Sequence, residues 1–330
     1  MAAVQRSMVF RCCALVLALA RACHGLSPLV ATLAGRSAGF VNSIGTSAKF
    51  NTPNAVAVDS TGAVYVADCN NNAIRFVTPD GTVSTLAGGG PNAYGFANGL
   101  GTLARFSNPN GVAVDASGNV YVADTFNYAV RVIGPNGAVS TLAGTNISGF
   151  LDGVGTSARF NRPSGLAVDV GGNVCACLAW SCRSCLPMFT NVCHSIRFLA
   201  DVGDQSNHAI RVIAPNGTVT TLAGGGPSAQ SFLDGLGTSA RFYSPIGVAV
   251  DVGGNVYVAD MGNNAIRVIA PNGAVTTLAG GGPSSQSFLD GLGTSARFKL
   301  PLGVAVDASG TVCACHSLWK LHHCPPLYVC

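Results

Sequence analysis

The sequence predicts an all-β fold, a β-propeller built from four-stranded antiparallel blades, on the evidence of composition, an internal repeat and a strand pattern. The chain of 330 residues has 42 glycines and 48% hydrophobic residues, but only 10% charged residues. Its acidic residues are all aspartates. A chain rich in Gly, Val, Asn, Asp and Thr favours short strands joined by tight turns over helices.

The internal repeat is marked by a proline that precedes G-V-A-V-D or a close variant. This proline recurs at Pro53, Pro109, Pro163, Pro245 and Pro301. The intervals are 56, 54, 82 and 56 residues, so one interval is about 26 residues longer than its neighbours. Repeats of this length are typical of arrays in which one supersecondary unit covers the next.

The strand pattern is clearest in the copy that starts at Pro245. Four apolar segments follow one another there, GVAVD, NVYVAD, AIRVI and VTTLAG, separated by the turn sequences DVGGN, DMGNN and APNGA. Three short turns predict an antiparallel meander of four strands. Both faces of these strands are apolar, so each sheet must be covered on both sides, as radially stacked propeller blades are.

The N-terminal residues 1–20 are predicted to be a secretory signal peptide. Arg6 and Arg11 precede an apolar run at residues 12–20, and small residues stand at Ala18 and Ala20. Nine apolar residues are too few to span a bilayer, and no later stretch approaches about 18 apolar residues. We therefore expect a secreted chain without a membrane anchor. The alternative is a buried N-terminal segment.

The propeller is predicted over residues 29–312. Its blades lie near residues 53–88, 109–144, 163–224 and 245–280, with a partial copy at 301–312 and an isolated last-type strand at 29–35. These two partial copies allow either a ring closed by a composite, defective fifth blade or an open arc. Connectors of about 20 residues are expected on one face of the ring, without strands of their own.

Two stretches interrupt the repeat, a Cys-rich insert at residues 175–201 and an irregular Cys/His-rich tail at 313–330. Both begin with CAC after a valine, and they hold nine of the 13 cysteines. We expect the third blade to keep four strands, with either residues 174–177 or 199–203 as its second strand and about 20 residues in a loop. We expect no zinc site, because the candidate ligands lack paired C-x-x-C spacing; these are Cys182, Cys185, Cys193 and His194.

The shared start of the two interruptions suggests a genetic origin. Val-Cys-Ala-Cys can be encoded as GTG TGC GCG TGC, which begins like a splice donor. We therefore hypothesise that both stretches are translated intron sequence, and the alternative for the insert is a genuine surface loop.

The segment PIGVAVDVGGNVYVADMGNNAIRVIAPNGAVTTLAG, with the preceding DGLGTSARF, resembles the NHL repeat family of β-propellers. The resemblance covers residues 29–312 apart from the insert. It implies four strands per blade, usually six blades per ring, and ligand or partner binding at the loop faces. Some relatives are metal-dependent enzymes of the lyase or lactonase type, and others bind protein or RNA.

Residues that recur in every copy are interpreted as architecture, because catalysis needs a single constellation. We interpret the repeated aspartates as turn caps, with an axial ring of carboxylates around a cation as the alternative. These are Asp59, Asp115, Asp169, Asp251 and Asp307 after the first strand, Asp68, Asp124, Asp204 and Asp260 after the second, and Asp80, Asp152, Asp234 and Asp290 elsewhere.

Arginines recur seven residues after the second-strand aspartates, at Arg75, Arg131, Arg211 and Arg267. We expect ion pairs within each blade, which at a surface stabilise by about 0.2 to 1 kcal/mol. A basic ring for RNA is the alternative. The Phe of each S-A-R-F motif is expected to fill the gap between blades. His208 is interpreted as a solvated turn residue.

The predicted function is a secreted, non-enzymatic binding or interaction scaffold without a metal or other cofactor, whose ligand is an unknown protein or glycan. The alternatives are a metal-dependent lyase or lactonase and an RNA-binding propeller. A weak, evenly spread positive charge argues against nucleic acid.

Two sets of surface residues are singled out. Candidate binding residues on the connectors are Phe96, Phe150, Phe232 and Phe288, and the alternative is that these rings are buried staples. Asn146 and Asn216 lie in N-x-S/T sequons and are candidate glycosylation sites.

Overall fold

Four complete antiparallel blades form the body of the molecule, which confirms the predicted all-β propeller. The computed structural model describes residues 6–11, 14–19, 29–168, 200–282, 284, 286–307 and 310–316. Within each blade the strands are hydrogen-bonded in chain order. The inner, second, third and outer strands are Pro53–Val58, Val64–Asp68, Ala73–Val77 and Val83–Ala87 in blade 1; Pro109–Val114, Val120–Asp124, Ala129–Ile133 and Ala138–Gly144 in blade 2; Pro163–Val168, Ala200–Asp204, Ala209–Ile213 and Thr218–Ala223 in blade 3; and Pro245–Val250, Val256–Asp260, Ala265–Ile269 and Ala274–Ala279 in blade 4.

Partial sheets extend the stack at both ends. Arg6–Arg11, Ala14–Leu19 and Leu29–Ala34 form a three-stranded sheet, whose Ala34 packs into the apolar cluster of blade 1. Pro301–Val306 and Val312–His316 form a two-stranded sheet that packs on blade 4. The structure therefore has four complete blades rather than the six that the resemblance implies, because the sequence carries four full copies of the repeat.

The third blade recruits its second strand from beyond the insert. Ala200–Asp204 pairs with Pro163–Val168 on one side and Ala209–Ile213 on the other, close to one of the two predicted alternatives. Asp201 faces Val212 at the register where Tyr121 faces Val132 in blade 2. Residues 169–199 lie outside the described residues, so the predicted loop and the expected absence of a zinc site fall there too.

The connectors run along the outer edge of the propeller. Gly99–Leu100, Gly153–Val154 and Gly235–Leu236 each pair with the outer strand of the blade that follows. Blades 2, 3 and 4 thus gain a short fifth strand, and the expectation of strandless connectors on one face is wrong. The outer strand has backbone groups that need partners, and the connector satisfies some of them.

The inner strands of the four blades and of the C-terminal sheet lie side by side around a central channel. A cavity of about 260 Å³ there is lined by Val, Ala and Leu side chains of residues 56–58, 112–114, 166–168, 248–250 and 304–306. Neighbouring inner strands approach closely, since a Cβ on Gly165 would lie 2.1 Å from the carbonyl oxygen of Ile246. The channel is therefore lined by aliphatic side chains and by tightly packed backbone.

The predicted gap-filling phenylalanines are confirmed. Phe50, Phe106, Phe160 and Phe242 are fully buried. Phe106, for example, packs in one cluster with Tyr65 and Ile74 of blade 1 and Val122 of blade 2. Each ring therefore fixes the spacing between two adjacent blades.

A buried arginine in the third strand holds the preceding connector against each complete blade. In blade 2, Arg131 Nη1 lies 2.9 Å from Asp124 Oδ2, and both side chains are fully buried. Arg131 Nη2 donates to the carbonyl of Ala97 (2.9 Å) and to Asn98 Oδ1 (2.7 Å) in the connector. Phe96 covers the guanidinium, with its ring centroid 4.7 Å from Cζ. We call this arrangement the arginine clamp.

The carboxylate of the clamp is surrounded by donors. Asp124 Oδ1 accepts from the backbone N–H of Ser107 (2.7 Å), and Oδ2 accepts from Asn127 Nδ2 (2.8 Å). Burial raises the pKa of Asp124 to about 6, because the hydrogen bonds and Arg131 offset only part of the lost hydration. The carboxylate is still ionised at neutral pH and balances the charge of Arg131.

The clamp recurs in the other three blades. The Asp68–Arg75, Asp204–Arg211 and Asp260–Arg267 pairs are also fully buried, at 2.8, 2.9 and 2.9 Å. In blades 3 and 4 the connector contributes a second carboxylate, with Asp152 at 2.6 Å from Arg211 and Asp234 at 2.6 Å from Arg267. The intrablade pairs are thus confirmed, but the surface estimate of their strength is wrong because they are buried.

The aspartates fall into two groups. Asp59 caps its turn as predicted, accepting from the backbone N–H groups of Thr61 (2.9 Å) and Ala63 (3.1 Å), and Asp115 and Asp251 do the same. The six clamp aspartates instead bind arginine, so the turn-cap interpretation is wrong for them; they are Asp68, Asp124, Asp152, Asp204, Asp234 and Asp260.

Substituting Arg131 tests the clamp. Arg131→Met leaves Asp124 buried without its cation, and we expect a loss of about 3–5 kcal/mol in the free energy of unfolding. Arg131→Lys keeps the charge but loses the fork geometry and ring stacking, so its loss should be smaller. Urea titration monitored by circular dichroism measures both. The matched control is Arg105→Met. Only the backbone carbonyl of Arg105 takes part in the clamp, and its half-buried side chain does not contact Asp124, so this change should cost less than about 1 kcal/mol. Equal losses for Arg131→Met and Arg105→Met would contradict the clamp.

Candidate functional site

The four predicted connector phenylalanines do not form one site. Phe96, Phe150 and Phe232 each cover the clamp arginine of a different blade, at 4.7, 4.9 and 4.9 Å from Cζ. Phe96 remains 38% exposed, so its ring packs on the arginine on one side and is accessible to solvent on the other. Phe288, which precedes the C-terminal sheet, is 52% exposed. Phe40 occupies the same place over Arg75, at 4.7 Å, and the sequence prediction missed it.

Both predicted glycosylation sites are accessible. Asn146 lies exposed in the connector after blade 2. Asn216 is exposed in the turn between the third and outer strands of blade 3, where its Oδ1 accepts from the backbone N–H of Thr218 (3.0 Å). The surface position expected of an acceptor asparagine is met at both sites.

One face of the propeller differs from blade to blade, and we call it the variable face. It consists of the segments that lead into the inner strands and the one-turn 3-10 helices, with the residue that follows each, between the second and third strands. The lead-in segments read NTPN, SNPN, NRPS, YSPI and KLPL, starting at residues 51, 107, 161, 243 and 299. The helical segments read CNNN, TFNY, QSNH and MGNN, starting at residues 69, 125, 205 and 261. Only the Pro and one buried Asn are constant.

The opposite end of the blades is nearly uniform. The turns between third and outer strands read TPDGT, GPNGA, APNGT and APNGA, starting at residues 78, 134, 214 and 270. The described turns after the inner strands repeat an Asp cap and a Gly, as in DASGN and DVGGN. The repeats therefore diverge at one end of the blades and are kept alike at the other.

The variable face also concentrates strained backbone. Among the described residues, nine that are not glycine have a positive φ, and all nine lie on this face; they are Thr52, Asn72, Asn108, Tyr128, Arg162, His208, Ser244, Asn264 and Leu300. Such conformations cost about 1–3 kcal/mol each and cluster at ligand-binding sites. Glycine would remove the strain at the expense of the side chain.

Some of these residues connect neighbouring blades. Asn72 Oδ1 accepts from the backbone N–H of Asn108, and Asn264 Oδ1 accepts from that of Leu300, both at 3.0 Å. His208 Nδ1 makes the equivalent bond to Ser244, also at 3.0 Å. His208 is only 7% exposed, so its interpretation as a solvated residue is wrong. The left-handed backbone directs the imidazole into the junction between blades 3 and 4, edge-on to Tyr243.

The chemistry of the variable face changes around the propeller. Blades 1 to 3 present mainly carboxamides, with the half-exposed Phe126 and with Arg162. Blade 4 and the C-terminal sheet present Tyr243, Leu302 and other large apolar side chains. The segments of this face contain no acidic residue.

No three His, Cys, Asp or Glu side chains in the described ranges lie close enough to hold a metal ion. None of the described helices is long and apolar enough to cross a bilayer.

Sequence comparisons identify the repeat. The NHL repeat profile matches residues 50–75, 106–133 and 242–269, which contain the Asp and Arg of three clamps. The chain is 28% identical over 280 residues to human NHL repeat-containing protein 2, covering 77% of this chain and 36% of that protein. It is 26% identical over 250 residues to mouse Teneurin-1, covering 69% of this chain and 8% of that protein. The chain thus spans little more than a third of these relatives, or less.

Solved structures share the fold. A chain in the crystal structure of a nidogen/laminin complex is 14% identical, with a TM-score of 0.55, covering 94% of this chain and 84% of that chain. An auxiliary nutrient binding protein from Bacteroides ovatus is 17% identical, with a TM-score of 0.53, covering 80% of this chain and 56% of that chain. At these identities the likeness shows the β-propeller fold alone.

The buried imidazole predicts a pH effect on stability. Burial lowers the pKa of His208, and a hydrogen bond with Gln230 opposes this. The unfolded chain takes up the proton near pH 6.5, whereas the folded chain takes it up only at lower pH. The stability due to neutral His208 is therefore present above about pH 6.5 and lost as the pH falls through the folded pKa.

The test compares the parent chain with His208→Asn, which copies Asn72 and Asn264 of other blades. Between pH 7.5 and pH 5 the parent should lose stability relative to the variant, as measured by urea unfolding at each pH. Parallel losses in the two proteins would show that His208 does not titrate in this range.

Proposed function

The chain belongs to the NHL repeat family of β-propellers, and we propose that it acts as a secreted, non-enzymatic scaffold that binds a ligand on its variable face. The observation that carries this proposal is that the segments between strands differ from blade to blade at one end of the blades and are nearly alike at the other. A ligand that lies across several blades meets a different side chain at each one, and specific recognition requires such differences. A scaffold without a ligand needs none of them.

The backbone conformation of the strained residues on the variable face recurs in every blade, but the side chains that it presents differ from blade to blade. Nine side chains are held there in conformations that glycine would adopt without strain, and the flanking Pro and buried Asn are constant. Loops on a rigid framework are the usual location of binding residues. The clamps and the gap-filling phenylalanines provide that framework, so the loop residues can vary without loss of the core.

The enzymatic alternative has weaker support. Thirteen of the 14 aspartates recur in the repeat, and the described ones serve mainly as turn caps or clamp ligands. The central channel is lined by apolar side chains, which offer no acid, base or nucleophile. An RNA ligand would need several cations, and the variable face contributes Arg162 and Lys299. Proteins of similar fold, described as nutrient-binding or crystallised as a nidogen/laminin complex, fit a binding role.

Binding experiments test this assignment with substitutions borrowed from other blades, which preserve the fold. The full chain is screened against arrays of extracellular proteins and of glycans, and each hit is titrated against variants. Phe126→Ser copies Ser206, and Tyr243→Asn copies Asn51. One or both should weaken binding at least tenfold. Leu103→Ser copies Ser47 on the exposed connector helix, and Val252→Ala copies Ala116 at the opposite end; both should bind as the parent does.

The opposite pattern would overturn the assignment. Loss of binding in Leu103→Ser or Val252→Ala, with Phe126→Ser and Tyr243→Asn unaffected, would move the site to the connectors or the opposite turns. The absence of any partner in both arrays would count against the binding role.

Secretion is tested by glycosylation. Expression of the full chain in a eukaryotic host should yield secreted protein that begins near residue 21, with glycan on Asn146 and Asn216, because a signal peptide brings exposed sequons to the glycosylation machinery. Mass spectrometry of tryptic peptides reads both, with the Asn146→Gln/Asn216→Gln double variant as control. An intracellular product with an intact N-terminus and unmodified sequons would contradict the prediction.

A further inference from the structure

A cluster of carboxamides crosses from blade 1 to blade 2 on the variable face. Asn54 Nδ2 donates to Asn110 Oδ1 at 2.7 Å, which joins the starts of two inner strands. Asn108 Nδ2 lies 3.4 Å from Asn70 Oδ1, and Asn70 Nδ2 donates to Thr52 Oγ1 at 2.9 Å. Five polar, uncharged side chains are thus held together at the solvent surface.

These side chains keep hydrogen-bonding capacity for a ligand. In the described part of the chain, Oδ1 of Asn54, Nδ2 of Asn110 and Oδ1 of Asn108 have no partner. Asn108 adopts a φ of +55°, so its position is fixed by the backbone rather than by rotamer choice alone. The cluster therefore presents both donors and acceptors from a constrained frame.

An aromatic ring lies at the end of the cluster. The backbone N–H of Phe126 donates to the carbonyl of Ser107 at 3.1 Å, which sets residue 126 beside Asn108. The Phe126 side chain is 50% exposed, and Arg162 Cζ of blade 3 lies 5.7 Å from its ring centroid. In the other blades this position holds Asn70, Ser206 and Gly262, so the fold accepts smaller side chains here.

We propose, building on the binding role proposed above, that this part of the variable face binds a neutral oligosaccharide. A sugar hydroxyl both donates and accepts hydrogen bonds, and a carboxamide offers both functions at neighbouring atoms. The C–H face of a sugar ring is apolar and packs against an exposed aromatic ring. Carboxamides beside one accessible phenylalanine match these two requirements together.

Other ligand classes fit this region less well. A nucleic acid needs several cations for its phosphates, and the segments that blades 1 to 3 contribute to this face contain one arginine, Arg162, and no lysine. An apolar peptide needs exposed aromatic or aliphatic side chains in a group, and these lie on the other half of the face, at Tyr243 and Leu302. We therefore assign sugar binding to the asparagine-rich half of the variable face.

The experiment titrates the full chain with neutral oligosaccharides of glucose, galactose, mannose and N-acetylglucosamine, by isothermal calorimetry and ligand-observed NMR. At least one should bind with a dissociation constant of about 1 mM or tighter. Phe126→Ser, after Ser206, and Asn110→Ser, after Ser164, should each weaken that binding at least tenfold. Val252→Ala, at the opposite end of the blades, should leave it unchanged. Thermal unfolding of each variant checks that the fold is retained.

Three results would overturn the sugar assignment. They are the absence of binding across the panel, binding confined to uronic-acid oligosaccharides run in parallel, and binding that survives both Phe126→Ser and Asn110→Ser. A protein partner that still maps to the variable face in the array screen would keep the proposed function while removing this ligand class. Failure of both screens would remove the binding role itself.

Discussion

The arginine clamp is the interaction on which the rest of the structure depends. In every complete blade a fully buried guanidinium faces a fully buried carboxylate, and the connector closes over it with backbone carbonyls and a phenylalanine. The connector supplies hydrogen-bond acceptors that the guanidinium needs in addition to its carboxylate, so the buried arginine holds the connector in place. The same connector carries the phenylalanine that fills the gap to the preceding blade. Clamp, connector path and blade spacing are therefore fixed together.

Local sequence signals were sufficient to predict the strands and the turns. Apolar segments such as AIRVI and turn sequences such as APNGA define their own structure, and the observed strand Ala265–Ile269 follows them. The burial of Arg131 could not be predicted in this way, because it depends on a connector more than 30 residues earlier in the chain. A spacing of seven residues shows that Asp124 and Arg131 meet across a hairpin, and no more. His208 was misjudged for the same reason, since its environment comes from the next blade.

The variable face was open to prediction from the sequence but was overlooked. In the sequence this face is marked by residues that vary around a constant Pro and a constant Asn. The connector phenylalanines were predicted as binding residues instead, because they recur. Recurrence in a repeat protein marks the parts that every blade needs, and the recurring Phe96 indeed serves the clamp. Positions that depart from the repeat, such as Phe126 and Tyr243, indicate a role that one blade has and the others lack. The scaffold and the candidate site thus have opposite signatures in the same sequence.

The clamp also determines where the boundaries of a blade must lie if the blade is to be cut from this protein or grafted into another. Each arginine binds the connector on the N-terminal side of its own blade, so the segment that contains the complete clamp of blade 2 begins near Phe96 and ends at Gly144. A segment that starts at the inner strand, at Pro109, would contain Arg131 but not the connector residues that cover it. Chimeric proteins built from these blades should therefore have their junctions just after the outer strands. Each transferred blade then keeps the connector that covers its arginine.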